Sequence, residues 1–282
     1  MKAIPYPNYT NFFHKLSRSP KDTVEFIWLG QAGFGFRYNN ISLIIDPYLS
    51  NYLSKKYKDS LFPHTRLMDI PIAPEQIKNL DFLISTHPHS DHMDPETIPL
   101  LFKGNPHMKF IIPAAAKEES IKRGAYSENL MPAISEKEIR ISEEIVVIPI
   151  PAAHEELTKN EKGEHYYLGY IIKFGDHHLY HSGDCCPYDG LEQLLTQYGV
   201  QIAFLPINGR DEYRLSNGIA GNFRISEVLE ICRKTSIHHL VVHHFGMFAY
   251  NTVTDGELEK LAECSTPDLG IIIPKMFYKY RI

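Results

Sequence analysis

The chain has 282 residues, of which 43% are hydrophobic and 22% charged, a composition typical of one globular domain spanning residues 1–282. Acidic residues outnumber basic ones by 34 to 29, for a formal net charge of -5, and no Lys/Arg cluster is present. This balance argues against a nucleic-acid partner and favours a small-molecule substrate. Without a signal-like N-terminus or a run of about 18 apolar residues, we expect a cytoplasmic protein with no membrane contact.

Strand-like runs open the first half of the chain. Residues 24–30, 34–38 and 42–48 are rich in β-branched and aromatic side chains. Asn39-Asn40 lies between two of these runs and is a typical hairpin turn. The pattern predicts an N-terminal antiparallel meander.

A polar segment then separates a predicted strand from a predicted helix. Residues 81–86 form a short apolar run suited to a buried strand. Asp94 is a good N-cap and Pro95 is favoured at a first helical position, so we predict a helix from there to about Phe102. The segment 87–92 is therefore a loop at the carboxyl end of a strand, where functional residues are often placed.

The second half alternates strands and helices without repeats or a linker, which indicates one continuous core and an α/β fold. Several of its predicted strands end in polar residues. We predict strands at 110–113, 144–150, 167–174, 177–184, 202–207 and 239–245, and helices at about 224–234 and 255–264.

The loop after the strand at 81–86 reads His87-Pro-His89-Ser-Asp91-His92 and holds four potential metal ligands within six positions. In an extended turn, residues two apart point the same way. His87 and His89 can therefore hold one ion while Asp91 and His92 face a second. The spacing predicts a two-metal site, and a surface loop that happens to be rich in histidine is the simpler alternative.

This hexamer resembles the signature of the metallo-β-lactamase superfamily. The resemblance implies an αββα four-layer sandwich with the metals at one edge, and it implies further ligands at downstream strand ends. His154 in IPIPAAHEE matches the third ligand of the first ion. Asp184 in LYHSGD matches the bridging carboxylate, and His244 in VVHHFG matches the last ligand of the second ion.

Two positions near the later ligands have competing interpretations. His243 and His244 are adjacent, and strand alternation places one of them on the core face; the superfamily pattern of His, aromatic and Gly favours His244. We interpret His181 as a supporting or core histidine. Cys185 follows Asp184. Some superfamily members have a thiolate ligand near this position, but here Asp184 already provides the ligand.

The flanking segments are similar to a narrower group, the L-ascorbate-6-phosphate lactonase-like branch. They include IWLGQAGFGF, LIIDPYLS, STHPHSDHMD and PINGRDEYRLSNGIAGNF. In that branch the last segment is associated with the mouth of the active site. The resemblance therefore makes Asn208, Arg210, Arg214 and Asn222 candidates for substrate contact, since Arg grips phosphate or carboxylate groups well; a solvated polar loop is the alternative. The branch also hints at a homo-oligomer.

These residues predict a metal-dependent hydrolase. Two divalent ions can activate a hydroxide for attack on a carbonyl. The lactonase-like resemblance implies that this carbonyl belongs to a lactone or related ester, with a phosphorylated sugar-acid lactone as one candidate. Asp91 or Asp184 would orient the hydroxide or return a proton. His and carboxylate ligands suit Zn²⁺ and Mn²⁺ alike.

Two other functions are compatible with the same ligands. A phosphodiesterase or nuclease of the superfamily would use an equivalent two-metal site for phosphoryl transfer. A metal-binding sensor or scaffold would hold the ions without catalysis. The acidic balance of the chain argues against an RNA substrate.

Overall fold

The computed structural model describes residues 1–14 and 19–282. In this part of the chain the strands are β1 Lys2–Pro5, β2 Val24–Gly30, β3 Gly33–Tyr38, β4 Ile41–Ile45, β5 Phe82–Ile84, β6 Lys109–Pro113, β7 Leu130–Ala133, β8 Ile139–Arg140, β9 Ile145–Pro151, β10 Leu168–Phe174, β11 His177–His181, β12 Ile202–Pro206, β13 His239–His243, β14 Gly270–Ile272 and β15 Tyr278–Arg281. The α-helices are α1 Tyr52–Lys56, α2 Ile98–Gly104, α3 Lys117–Lys122, α4 Leu191–Gln197, α5 Glu212–Ser216, α6 Ile225–Lys234 and α7 Asp255–Glu263.

These elements form two compact units. The first unit comprises Met1–Ala133, Met247–Tyr250 and Lys275–Ile282, and the second comprises Ile134–Gly246 and Asn251–Pro274. The single domain over residues 1–282 stays a prediction. None of the described helices combines the length and apolar character that crossing a bilayer requires.

The first unit contains a sheet in the order β1-β15-β2-β3-β4-β5-β6-β7. The predicted meander is confirmed, because β2, β3 and β4 pair antiparallel. Asn39 in the β3–β4 turn has a φ of 52°, a left-handed conformation that Asn adopts more readily than most residues. From β4 to β7 the strands run parallel, so their carboxyl ends lie at one edge of the sheet.

Apolar alternation along these strands builds the core of the first unit. Leu83 and Phe110 pack with Leu101 and Phe102 of α2 in one buried cluster. Each fully buried side chain of this size contributes about 1.5–3 kcal/mol. Phe110→Ala would therefore leave a cavity and destabilise the unit by about 3–5 kcal/mol.

The second unit contains a sheet in the order β14-β13-β12-β11-β10-β9-β8. The strands from β8 to β11 pair antiparallel, and those from β11 to β14 pair parallel. The carboxyl ends of β11, β12 and β13 therefore lie side by side. The helix α7 begins with a capping box formed by Thr254 and Glu257, and at the start of α6 the Glu227 carboxylate accepts a hydrogen bond from Arg224 N.

One predicted helix boundary is wrong. The helix expected to begin at Asp94-Pro95 is α2, which begins at Ile98. The Asp94 carboxylate accepts hydrogen bonds from Glu96 N and Thr97 Oγ1, so it caps a turn that precedes the helix. The predicted helices at residues 224–234 and 255–264 agree with α6 and α7 within one residue.

Candidate metal centre

The loop between β5 and α2 carries the predicted ligands of the first unit, and we call residues 86–92 the ligand loop. It leaves the carboxyl end of β5, in the middle of the parallel strands. His89 O accepts hydrogen bonds from His92 N and Met93 N, and Ser85 Oγ donates to His92 O over 2.8 Å. These bonds close the loop on itself and bring its histidines together.

The three imidazole rings of the ligand loop are close neighbours. The ring centroid of His87 lies 4.7 Å from that of His89 and 4.0 Å from that of His92. His87 and His92 are buried, with 1% and 0% of their surface exposed, whereas His89 is exposed. Burying polar imidazole rings this close together costs folding free energy unless their nitrogens have hydrogen-bond partners or bind a ligand.

Asp46 fixes the orientation of His92, a role that the sequence analysis missed. It follows β4 at the same sheet edge and is fully buried. Its Oδ2 lies 2.7 Å from His92 Nδ1 and accepts a hydrogen bond from Thr86 Oγ1. A carboxylate can only accept, so Nδ1 carries the proton and Nε2 of His92 is the nitrogen that would bind an ion.

The same network fixes the tautomer of His87. The single hydroxyl proton of Thr86 goes to Asp46, so its contact of 3.0 Å with His87 Nδ1 requires Nδ1 to donate. Nε2 of His87 is thereby also the nitrogen that would bind an ion. Asp46 has a φ of 48°, in the left-handed region. In the sequence, the LIIDPY segment shows only an aspartate before a proline at the end of a strand, which does not by itself indicate a supporting role.

Gln31 orients the remaining carboxylate of the ligand loop. Its Nε2 donates a hydrogen bond of 2.9 Å to Asp91 Oδ2. Trp28 Nε1 donates to Gln31 O over 3.0 Å, which fixes the β2–β3 turn from which Gln31 projects. Asp91 Oδ2 also lies 3.7 Å from His92 Nε2. Gln31 was not predicted, since a glutamine in a turn carries no chemical signal of its own.

The second unit brings His154, Asp184 and His244 together. Asp184 Oδ2 lies 3.6 Å from His154 Nε2, and Oδ1 lies 3.3 Å from His244 Nε2. The two oxygens of one carboxylate thus face two different histidines. All three side chains are shielded, with exposed side-chain fractions of 3%, 7% and 3% in the same order.

Strand ends explain how these three residues meet. Asp184 follows β11 and His244 follows β13, and the carboxyl ends of these parallel strands lie at one edge. His154 follows β9, and the adjacent bridge between Ala153 and Cys186 brings its loop to the residues after Asp184. The ring of Tyr167 packs edge-on against His154 with centroids 5.0 Å apart.

His243 and His244 have different surroundings although both are buried. The alternation of a strand would bury one of them and expose the other, but β13 ends at His243. His244 lies in the turn that follows, with a φ of 59°. His243 stacks on His181 with ring centroids 4.8 Å apart. His181 Nδ1 accepts a hydrogen bond from Gly183 N, next to Asp184. His243 and His181 thus form a stacked pair beside the segment that carries Asp184.

The spacing of these groups fits ligands that share an ion. Two atoms bound about 2.1 Å from one ion at a tetrahedral angle lie about 3.4 Å apart. The Asp184 contacts of 3.3 and 3.6 Å and the Asp91–His92 contact of 3.7 Å are close to that value. A direct charge-assisted hydrogen bond would be about 2.7–2.9 Å long. Imidazole and carboxylate donors suit Zn²⁺ or Mn²⁺.

The predicted substrate residues Asn208 and Asn222 lie in the second unit, in the segment that follows β12. Both are buried, and Asn222 Nδ2 donates to Asn208 Oδ1 over 3.0 Å. Asn208 Nδ2 in turn donates to Asn251 Oδ1 over 2.8 Å. The three amides form a chain that ties this segment to the loop after β13.

The arginines of the same segment bind groups of the protein itself. Arg210 makes a bidentate pair with Glu227, with two bonds of 2.7 Å. The Arg214 guanidinium contacts Asp211 and donates to Asn251 Oδ1 and to the backbone oxygen of residue 208. Their contact with a substrate stays a prediction.

The four cysteines are free thiols. Cys185 and Cys186 are buried, and burial raises the pKa of both thiols. A thiol with a raised pKa stays protonated at neutral pH and is a poor metal ligand.

The fold is that of a known superfamily. The family model described as "Beta-lactamase superfamily domain" matches residues 42–245. The chain belongs to this superfamily.

Individual relatives agree with this placement. The chain is 26% identical over 185 residues to a "UPF0173 metal-dependent hydrolase" from Caldivirga maquilingensis, covering 64% of this chain and 69% of the relative. Among solved structures, the metallo hydrolase Igni18 from Ignicoccus hospitalis superposes with a TM-score of 0.67 at 18% identity, over 92% of this chain and 98% of that one. The metallo-beta-lactamase fold protein YhfI from Bacillus subtilis has a TM-score of 0.63 at 17% identity, over 93% and 100%. The fold-class prediction is therefore confirmed.

Proposed function

We propose that the chain is a metal-dependent hydrolase that binds two divalent ions, Mn²⁺ or Zn²⁺, and opens a lactone or a related ester of a small molecule. Following the superfamily pattern, we assign His87, His89 and His154 to one ion and Asp91, His92 and His244 to the other, and Asp184 would be shared between them. The observation that carries the proposal is the Asp184 carboxylate, whose two oxygens face two different histidines. That arrangement is the one a bridging ligand requires.

Membership of the superfamily supports the proposal. The Caldivirga relative is named a metal-dependent hydrolase, and its similarity covers 64% of this chain. The buried network of Asp46 and Thr86 is further support, because carboxylates that hold the second nitrogen of a histidine are typical of metal sites.

The ions, when bound, would supply an activated water and polarise the carbonyl of the substrate. The side chains of the protein supply the rest. Asp46 holds His92 at Nδ1, and Gln31 holds the Asp91 carboxylate in place. We assign proton transfer to Asp91, which takes a proton from the attacking water and returns it to the departing ring oxygen. The lactone then opens to a hydroxy acid.

We propose that the segment after β12 lies at the substrate-binding side of the site. Its candidate residues are Asn208, Arg210, Arg214 and Asn222. Asn208 and Asn222 stay candidates for direct contact, and their amides likewise bond to each other and to Asn251. Arg210 and Arg214 already bind Glu227 and Asp211, so we propose that they support the segment. An anionic group on the substrate would have to compete with these internal pairs.

A substrate panel tests the proposal. Protein stripped with EDTA and reloaded with Mn²⁺ or Zn²⁺ is assayed against γ-butyrolactone, a sugar γ-lactone, a thioester and bis-p-nitrophenyl phosphate. We expect metal-dependent lactone turnover that EDTA abolishes. Phosphodiester turnover with inert lactones would replace the lactonase assignment with the phosphodiesterase one. Metal-loaded protein inert to every compound would instead favour a sensor.

A further inference from the structure

The first unit carries a group of aromatic side chains that the proposed chemistry does not use. We call Tyr57, Phe62, His64, Phe248 and Tyr250 the aromatic wall. His64 lies at its centre, stacked on Tyr57 with ring centroids 4.3 Å apart and edge-on to Phe248 and Tyr250 at 5.1 Å each. All but Phe248 are only partly buried, so the wall presents ring surface to solvent.

The hydrogen bond of His64 fixes its tautomer. Nδ1 lies 2.8 Å from Phe62 O, and a backbone carbonyl can only accept. Nδ1 therefore carries the proton, and Nε2 presents a lone pair. Burial lowers the pKa of His64, while the Asp91 carboxylate acts in the opposite direction. The neutral ring is an acceptor within a wall of aromatic faces.

The aromatic wall lies within electrostatic range of Asp91. Burial raises the pKa of Tyr250, and the negative charge of Asp91 raises it further. Tyr48 follows the carboxyl end of β4, and its ring lies 6.2 Å from that of Phe248. Asp91 also contributes to the raised pKa of Tyr48, behind the larger effect of burial. The wall and the ligand loop thus belong to one edge of the first unit.

We propose that His64 is a specificity-determining residue that accepts, at Nε2, a hydrogen bond from a hydroxyl group of the substrate. The proposal rests on the hydrolase function proposed above. The acceptor lies among the rings of the aromatic wall and selects substrates that carry a hydroxyl donor there. A substrate without that hydroxyl gains nothing from Nε2. His64 therefore contributes to substrate recognition, whereas Asp91 and the proposed metal ligands carry out the chemical step.

A purely structural role for His64 makes a different prediction. If the ring served only to pack against Tyr57 and Phe248, phenylalanine would replace it with little loss for any substrate. His64→Phe keeps an aromatic ring and removes both nitrogens. His64→Gln removes the ring and places an amide oxygen near the position of Nε2. The two variants therefore separate packing from hydrogen bonding.

His178 provides a matched control. Like His64 it is partly buried, and its Nδ1 lies 2.8 Å from a backbone oxygen, that of Tyr198. It lies near the start of β11, at the opposite end of that strand from the one that leads to Asp184. His178→Phe should leave substrate preference unchanged.

The test compares two lactones with the same five-membered ring, D-galactono-1,4-lactone and γ-butyrolactone, of which only the first carries hydroxyl groups. We expect His64→Phe to lower kcat/KM for the galactonolactone about tenfold and to leave γ-butyrolactone within about twofold. His64→Gln should recover part of the preference. Equal losses for both lactones, or no loss for either, would overturn the proposal.

Nitrogen NMR of ¹⁵N-histidine-labelled protein separates this proposal from the proposed function. The His64 signals are assigned by their absence in His64→Phe. We expect the Nε2 signal to shift on addition of the galactonolactone and not of γ-butyrolactone. A shift without hydrolysis would support the role of His64 while the lactonase function fails. An unmoved Nε2 signal with either lactone would overturn the proposal whatever the turnover.

Discussion

The ligand loop in the first unit and the Asn208–Asn222 segment in the second are both polar and both follow the carboxyl end of a strand. They differ in where their polar atoms go. In the ligand loop, Asp46 and Thr86 fix the orientation of His92. In the Asn208–Asn222 segment, Arg210 makes its bidentate pair with Glu227 inside the same unit.

The difference shows that polar composition alone does not identify a binding residue. In a typical metal site, one ring nitrogen of each histidine donates a hydrogen bond to a supporting group and the other ring nitrogen binds the ion. Arginines whose nitrogens already bind carboxylates are typical of a structural clamp. The mutations below test this contrast between ligands and supports, beginning with the largest expected effect.

Loss of the shared carboxylate should have the largest effect. We expect Asp184→Ala to lower kcat by about 10³-fold or more, because several kcal/mol of metal-derived stabilisation is lost. Metal content, measured by elemental mass spectrometry, should fall in parallel. Asp176→Ala, in the exposed turn between β10 and β11, is the matched control and should retain both. Wild-type turnover in Asp184→Ala would remove this residue from the site.

The adjacent histidines test the ligand assignment more finely. His244→Ala should lose metal, whereas His243→Ala should keep it and lose thermal stability, because His243 packs on His181. Since His244 has a φ of 59°, His244→Asn serves as a variant that tolerates this backbone. Metal content and Tm are measured for each. The reverse order of metal loss would show that His243 is the ligand.

Asp46 tests the supporting network of the ligand loop. In Asp46→Asn the amide can replace the acceptor for Thr86 N but cannot accept from both Thr86 Oγ1 and His92 Nδ1. We expect metal affinity to fall about 10–100-fold, as measured by competition with a chelator. An unchanged circular dichroism spectrum would establish that the fold is kept, and unchanged affinity would contradict the role of Asp46.

The smallest effect should come from the Arg210–Glu227 pair. Burial acts to raise the pKa of Glu227, but the hydrogen bonds from Arg210 and the cap of α6 outweigh it and hold that pKa below its ordinary value of 4.5. The pair therefore stabilises the fold above about pH 4.5, and this stability is lost as the pH falls through the lowered pKa. Arg210→Ala should cost about 1 kcal/mol of unfolding free energy at pH 7.

Chemical denaturation of Arg210→Ala and the wild type at pH 7 and pH 3 measures this loss. The difference between the proteins should shrink as the pH falls through the lowered pKa of Glu227 and its carboxylate becomes protonated. If Arg210→Ala raised KM without changing stability, Arg210 would be a substrate ligand and the contrast with the ligand loop would fail.

Much of this arrangement could be predicted from sequence because it depends on local patterns. The hexamer from His87 to His92 is a ligand motif in itself, and the strands that precede Asp184 and His244 have the apolar centres Leu179-Tyr180 and Leu240-Val241-Val242. Their alignment at one sheet edge follows from parallel pairing. The meander and the helices α6 and α7 carried equally local signals in turn and capping residues.

The remaining features depend on pairings that are distant in sequence. Asp46 meets His92 across 46 positions, and Gln31 meets Asp91 across 60. The strands β1 and β15 pair although they come from opposite ends of the chain. His64 gains its tautomer from a carbonyl two residues away and its neighbours from a distant segment. No periodicity marks such contacts, because tertiary packing creates them.

Metal stoichiometry tests the central claim most directly. The protein is purified without added metal, its bound metals are determined by elemental mass spectrometry, and EDTA-stripped protein is titrated with Mn²⁺ and with Zn²⁺. The proposed site predicts about two equivalents per chain, with clearly fewer in Asp184→Ala. Wild-type protein that binds neither metal, or an Asp184→Ala variant that still binds two equivalents, would contradict it.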